Sequence, residues 1–149
     1  EWVLWLDADQ IPSSDPRPHL IEPSVVFRVF DLWSEDTYRA DAWWSGHTRC
    51  WWRAIHAPSY AGLADEWAER GWHSGHLPRN LPQTCHATPV GCSILHYAYS
   101  TPELRAKKAQ MYRDLAPHLT PKEVFHASTI DKATPNTRAL PFEPTWSLL

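Results

Sequence analysis

The chain opens on an apolar run that ends in acids: Trp2-Val3-Leu4-Trp5-Leu6 leads directly into Asp7-Ala8-Asp9. Five apolar residues in a row bounded by carboxylates suit a parallel strand covered on both faces, with the chain leaving the sheet at Asp7. Ser13 to Pro18 is turn-rich, and Pro16 and Pro18 forbid regular pairing there. Ser24 to Trp33 reads as a second strand, rich in β-branched and aromatic residues, closed by the polar turn Ser34-Glu35-Asp36. Thr37 to Ile55 alternates imperfectly, which predicts a short hairpin or an irregular strand. Ala61 to Gly71 has helical spacing, with Leu63, Ala64, Trp67 and Ala68 on one face and Gly71 as the stop. Pro78 to Pro89 reads as loop.

A second apolar stretch, Val90 to Tyr99, carries His96 within it. The clearest helix follows. Thr101 is its N-cap, Pro102 takes the first helical position and Glu103 lies in the first turn. Leu104, Lys108, Met111, Tyr112 and Leu115 fall on one face, the stem of Lys108 covering apolar surface, and Pro117 ends the helix. From Thr120 onward, prolines and weak periodicity predict an extended tail on the surface. The pattern is that of an α/β domain over residues 1–118 with a Pro-rich tail over 119–149. A domain seldom begins at a central buried strand, so a piece of a longer protein, or a processed product, is expected.

Composition narrows the function classes. The length of 149 residues allows one domain with a sizeable core. The net charge of −3, with Lys and Arg scattered, gives no basic stripe for nucleic acid. No apolar segment has the length of a transmembrane helix. Three cysteines, Cys50, Cys85 and Cys92, make no even disulfide framework, which points to free thiols and a cytoplasmic setting. Cys85-His86 with Cys92 is half a zinc site without a fourth ligand at a recognisable spacing. Ten Trp residues are unusual, and their rings can serve as platforms for sugars as well as core.

The candidate chemistry starts at Asp7 and Asp9. In an extended backbone they point the same way, and together they make a site for a hard cation that could hold the phosphates of a nucleotide. The alternative is a pair of turn residues ahead of Ile11-Pro12. An EF-hand reading fails, because Pro12 stands where glycine is required and no glutamate closes the loop.

Three segments, in order, resemble family 2 glycosyltransferases of the GT-A fold. Glu1 to Asp9 is similar to their Asp-x-Asp segment. Phe30-Asp31-Leu32-Trp33, Tyr38-Arg39-Ala40-Asp41 and Arg49-Cys50-Trp51-Trp52-Arg53 resemble acceptor-side strands. Leu95-His96-Tyr97-Ala98-Tyr99-Ser100, with the helix carrying Lys107 or Lys108 and Tyr112, resembles the end of such catalytic domains. The resemblance implies an incomplete GT-A-like mixed sheet with flanking helices, lacking the N-terminal nucleotide-binding half. It also implies Mn²⁺ or Mg²⁺ held by Asp9 and His96, with Asp7 facing the ribose or the metal shell. The metal would neutralise the departing diphosphate of a nucleotide-sugar donor as a sugar passes to an acceptor hydroxyl.

Inverting transfer needs a carboxylate base, for which Asp41 and Asp36 are the candidates, Asp41 the better because apolar neighbours would raise its pKa. Trp43, Trp44 and Arg39 are the candidate acceptor-binding residues. Gln10 departs from the family pattern, which often has Glu there. On this reading the chain is a fragment inactive alone, and an exposed sheet edge would favour self-association.

Two other classes compete. A haloacid-dehalogenase-type phosphatase also starts from an apolar strand ending in Asp-x-Asp, here with Ile11 two residues on and Lys122 or Lys132 as its later lysine, but no second acidic pair follows. A Trp-rich sugar-binding module would bind glycans without metal.

Overall fold

The computed structural model describes residues 1–41, 44–60, 84–130 and 135–145. The fold is mixed α/β: a curled mixed sheet in the manner of a half-barrel, two helices and a small second sheet. Among the described residues six strands make the main sheet: β1 (Trp2–Leu4), β2 (Gln10–Pro12), β3 (Ser24–Asp31), β5 (Cys50–His56), β6 (His86–Ala87) and β7 (Ile94–His96). Their order is β1-β5-β3-β7-β2, with β6 also beside β3. The small sheet pairs β4 (Thr37–Arg39) with β8 (Thr137–Ala139). The helices are α1 (Pro102–Leu115) and α2 (Pro121–Ser128).

Strand β3 is the spine because both of its faces are apolar. Period-two alternation sends Val25, Phe27 and Val29 into one cluster with Ala54, Cys92 and Ile94. Phe30 and Leu32 enter a second cluster with Tyr38, Leu95 and Tyr97. Its pairing with β5 is antiparallel, with a register shift between Val25 and Val26, and its pairing with β6 and β7 is parallel. The expected strand from Ser24 is therefore present, and the sheet is mixed, as expected.

The opening run is built differently from expectation. β1 pairs antiparallel with β5 and forms one end of the described sheet. Trp2, Leu4 and Leu6 pack against the core while Val3 is 43% exposed. An uninterrupted apolar run thus hides a one-sided strand, because every second residue suffices to cover the core edge. Beyond Asp9, Gln10–Pro12 is a strand rather than a plain turn. Pro12 is tolerated because β2 lies at the other end of the sheet order, where a missing N–H costs no ladder bond.

Thr37 to Ile55 resolves into β4 and β5, separated by a 3-10 turn at Gly46–Thr48. That turn presses on β3 closely enough that a Cβ at Gly46 would stand 2.6 Å from the Val29 carbonyl oxygen. The helix expected over Ala61 to Gly71 lies outside the described residues. Val90 to Tyr99 is strand only at Ile94–His96, then a buried 3-10 turn, Tyr97–Tyr99. Helix α1 matches its prediction at both ends, Thr101 accepting from the Leu104 N–H at 3.2 Å. Its buried face centres on Ala109 and Tyr112, whereas Leu104 is 39% exposed.

The expected extended tail is corrected. α2 begins with a reciprocal capping box between Thr120 and Glu123 and has Pro121 at its first position. Ile130 is fully buried with Trp44, Tyr99 and Tyr112, and Leu119 and Ala127 pack on the same cluster. The Thr145 N–H bonds the Ser13 carbonyl, so the segment after 119 closes onto the domain. Among the described residues no helix is long and apolar enough to cross a membrane.

Candidate functional site

The site forms where β2, β3 and β7 end together. Asp31 is the last residue of β3 and His96 the last of β7, and the two are direct partners across the parallel ladder. Each lies two residues beyond an inward side chain of one cluster, Val29 and Ile94, so both project to the same side. Asp9 arrives from the other flank. β2 runs antiparallel to β7 with Gln10 opposite His96, and the Tyr97 N–H donates to the Asp9 carbonyl at 2.8 Å. The topology therefore brings the second acid of Asp-x-Asp to the histidine.

His96 lies between two carboxylates. Its Nδ1–H donates to Asp31 Oδ1 at 2.7 Å, and its Nε2 faces Asp9 Oδ1 at 3.4 Å. Burial works against the charged imidazole, but the hydrogen bonds to Asp31 and Asp9 outweigh it and raise the His96 pKa to about 9. The reciprocal effect, the His96 hydrogen bond opposed by partial burial, lowers Asp9 to about 2. Lys108, on α1, extends its Nζ to 3.7 Å from Asp9 Oδ2.

Asp7 turns to different partners. Its Oδ2 accepts from Gln10 Nε2 at 2.8 Å, and its N–H reaches back to Gln10 Oε1. Arg53, from β5, stands 3.9 Å from the same Asp7 oxygen. The Arg53 side chain is 15% exposed, and its Nε has no hydrogen-bond partner. Gln10, where the resembled family often has Glu, thus serves as the clamp on Asp7.

Behind His96 stands a ladder of rings. Tyr99 meets His96 edge to face at 5.3 Å and Trp44 at 4.5 Å. Tyr99 and Tyr112 hydrogen-bond, and burial pushes both phenols up, Tyr112 to about 12. Trp44 in turn covers Arg39, whose Cζ lies 4.4 Å from the Trp44 ring and 4.9 Å from that of Trp33.

Of the predicted site residues, Asp9 and His96 meet, and Asp7 lies in the same loop but turned to Gln10 and Arg53. Arg39 and Trp44 are 1% exposed, so both are packed inside the domain rather than presented to an acceptor. Burial follows from pairing: Arg39 Nε donates to Asp41 Oδ1 at 2.6 Å, Nη2 donates to Asp41 Oδ2 at 3.3 Å and Nη1 donates to the Thr129 carbonyl. Trp44 Nε1 donates to Thr129 Oγ1. Asp41, expected as a base with a raised pKa, is bound to a guanidinium instead. Asp36 is an exposed turn residue accepting from Ser34 Oγ. Trp43 and Lys132 lie outside the described residues.

Asp31, Arg53 and the site-facing role of Lys108 were not read from the sequence as site features. An acid closing an apolar strand, as in Phe30-Asp31, is the same signal that picked out Leu6-Asp7 and could have found it.

The chemistry of the donor set bears on the implied metal. Among the described residues no group of three or more His, Cys, Asp or Glu is arranged to hold a metal ion. The site offers Asp9 and His96, with Asp31 holding the far nitrogen of the imidazole as carboxylates do behind metal-bound histidines. Two protein ligands would leave most of a Mg²⁺ or Mn²⁺ shell to substrate phosphates and water. Comparisons with protein-family models, with curated proteins and with solved structures return no match.

Proposed function

We propose that this chain carries the metal-side part of a metal-dependent, inverting glycosyltransferase of the family 2, GT-A type. In that reading it takes a nucleotide-diphosphate sugar as donor and a glycan or other hydroxyl compound as acceptor. The observation that supports it is the convergence of Asp9 and His96 from distant parts of the sequence, in the order that the resemblance expects. Asp9 and His96 would hold Mn²⁺ or Mg²⁺, which supplies Lewis-acid neutralisation of the diphosphate leaving group.

The chain's own residues have defined tasks in this reading. Asp31 fixes the imidazole with Nδ1–H inward, so that Nε2, once a metal displaced its proton, would be the ligand atom beside Asp9. Gln10 holds Asp7 and so fixes the shape of the loop that carries Asp9. Tyr99, set edge to face between His96 and Trp44, walls the imidazole from the interior.

Calorimetric titration of the chain with MnCl₂ tests the reading. Saturable binding is expected, reduced at least tenfold by Asp9→Ala and by His96→Ala. Absence of binding at millimolar Mn²⁺, or binding indifferent to both substitutions, overturns it. So does hydrolysis of a generic phosphate ester by this chain alone, the property expected of the phosphatase class. Glycan binding unchanged by a chelator, with no Mn²⁺ binding, would assign the chain to the metal-free sugar-binding class.

A further inference from the structure

We propose that His47 is a proton-sensitive latch for the small sheet: as a neutral ring it packs β4 and β8 onto β3, and on gaining a proton it loosens them. The inference stands apart from the glycosyltransferase reading and needs no metal. Its ground is the place of the imidazole. His47 sits on the 3-10 turn Gly46–Thr48, which is pressed against β3 at Val29. Its ring lies 4.8 Å from that of Tyr38 on β4 and 6.3 Å from that of Phe30 on β3. Phe30 in turn meets Tyr38 edge to face at 4.8 Å and Phe142, beyond β8, at 5.3 Å. His47 Nδ1 is buried in this cluster without a hydrogen-bond partner. A neutral imidazole can leave that nitrogen as a bare acceptor. An imidazolium must place an N–H there, charged and unsatisfied.

Charges on the neighbouring elements decide how the ring answers a proton. From β8, Arg138 opposes it, the residue directly across the ladder from Tyr38. From β3, Asp31 favours it, but that carboxylate already accepts from His96 Nδ1 at 2.7 Å. The Trp44 carbonyl favours it as well, while Arg39 of β4 is closed on Asp41. Burial is the largest influence, and it holds His47 below its ordinary value of 6.5. A histidine whose pKa is lowered by folding stabilises the fold fully above pH 6.5 and loses that contribution as pH falls through its folded value. The part at stake is lightly anchored. All three residues of β8 are exposed, and the chain around it is tied by the Ala40 N–H to the Asn136 carbonyl and the Leu140 N–H to the Asp36 carbonyl, both at 2.8 Å. Loosening on protonation is therefore local. It is also opposite in sign to the Asp9–His96 contact, which gains strength as pH falls from 9.

Hydrogen exchange of the full chain, read amide by amide at pH 7.5 and pH 5 and corrected for intrinsic rates, tests the latch. The Ala40 and Leu140 amides are expected to lose protection about threefold or more on acidification. The Thr88 amide, bonded to the Val26 carbonyl in the main sheet, keeps its own. His47→Phe and His47→Gln, which have no proton to gain, hold the protection of Ala40 and Leu140 constant over the same range. Arg138→Met, which removes the opposing charge, reduces the loss. Protection of Ala40 and Leu140 unchanged between the two pH values overturns the proposal, as does a loss of the same size in both His47 variants. A parallel loss at Thr88 also overturns it, since the whole fold would then be answering the proton.

Discussion

Two ion-pair networks stand at either end of one ladder of rings, and they are built on opposite principles. At one end Arg39 closes on Asp41 and on the Thr129 carbonyl, roofed by Trp33 and Trp44 and 1% exposed. At the other, Asp9 faces His96 at 3.4 Å and Lys108 at 3.7 Å, and the Asp9 side chain is 35% exposed. Both networks contain residues that the sequence marks as chemical. The difference teaches that charge in a motif does not by itself indicate function. Where every donor meets its acceptor and aromatic rings exclude water, a pair has become architecture. Where acids and bases stay 3.4 and 3.7 Å apart and one of them is a third exposed, the pair is still open to exchange.

The largest expected effect breaks the closed network. Asp41→Ala leaves the buried Arg39 guanidinium without its carboxylate, and loss of about 3–5 kcal/mol of stability is expected in urea unfolding. Asp41→Asn, retaining shape and one acceptor, should lose less. Were Asp41 instead a solvent-facing base, both substitutions would leave the unfolding midpoint near that of the unaltered chain. Unfolding that is insensitive to Asp41→Ala would erase the distinction between the two networks.

A second expectation concerns the imidazole in metal-free protein. His96 is raised from 6.5 to about 9, so its charged form stabilises the fold fully below pH 6.5, and that contribution is lost as pH rises through 9. Asp9 is lowered from 3.8 to about 2, so its contribution is present above pH 3.8 and lost as pH falls through 2. From these two groups, stability is greatest between about pH 4 and 6.5. It should then fall by on the order of 2–3 kcal/mol between pH 6.5 and 9.5. The two shifts share the Asp9–His96 contact and are not added. Asp31→Asn, which removes the nearer carboxylate, should flatten that decline; a profile of the same steepness would show that Asp31 does not hold the charge.

These cases show what the sequence made legible. The β3 spine and α1 were readable because alternation and capping are local signals, completed within the element itself. The capping box Thr120-Pro121-Lys122-Glu123 was equally local, yet the prolines around it drew the reading to an extended tail. β1 was misjudged because a run of apolar residues reads the same whether one face or two are covered. Asp9 and His96 were legible as a pair only through the order of the segments that carry them. Asp31 was not, since its partner is set by the parallel register of β3 on β7, a long-range fact that no spacing encodes. The pairing of Asp41 was missed for a nearer reason: Arg39 lies two residues away in the same motif, and the spacing alone does not say that the two side chains close on each other.

Asp36→Ala is the smallest expected change and the sharpest control. Asp36 is a carboxylate beside the same motif as Asp41, but it stands in an exposed turn and its side chain accepts from Ser34 Oγ. Its backbone carbonyl, which takes the Leu140 N–H, survives the substitution. Stability should change by no more than about 0.5 kcal/mol, as at ordinary surface positions. Mn²⁺ titration should be unaltered. A larger loss of stability would mean that the Ser34–Asp36 turn anchors β4 against β8, and a loss of Mn²⁺ binding would move the open site to that turn. The second result would show that openness at Asp9 is the wrong criterion for locating the chemistry of this fold.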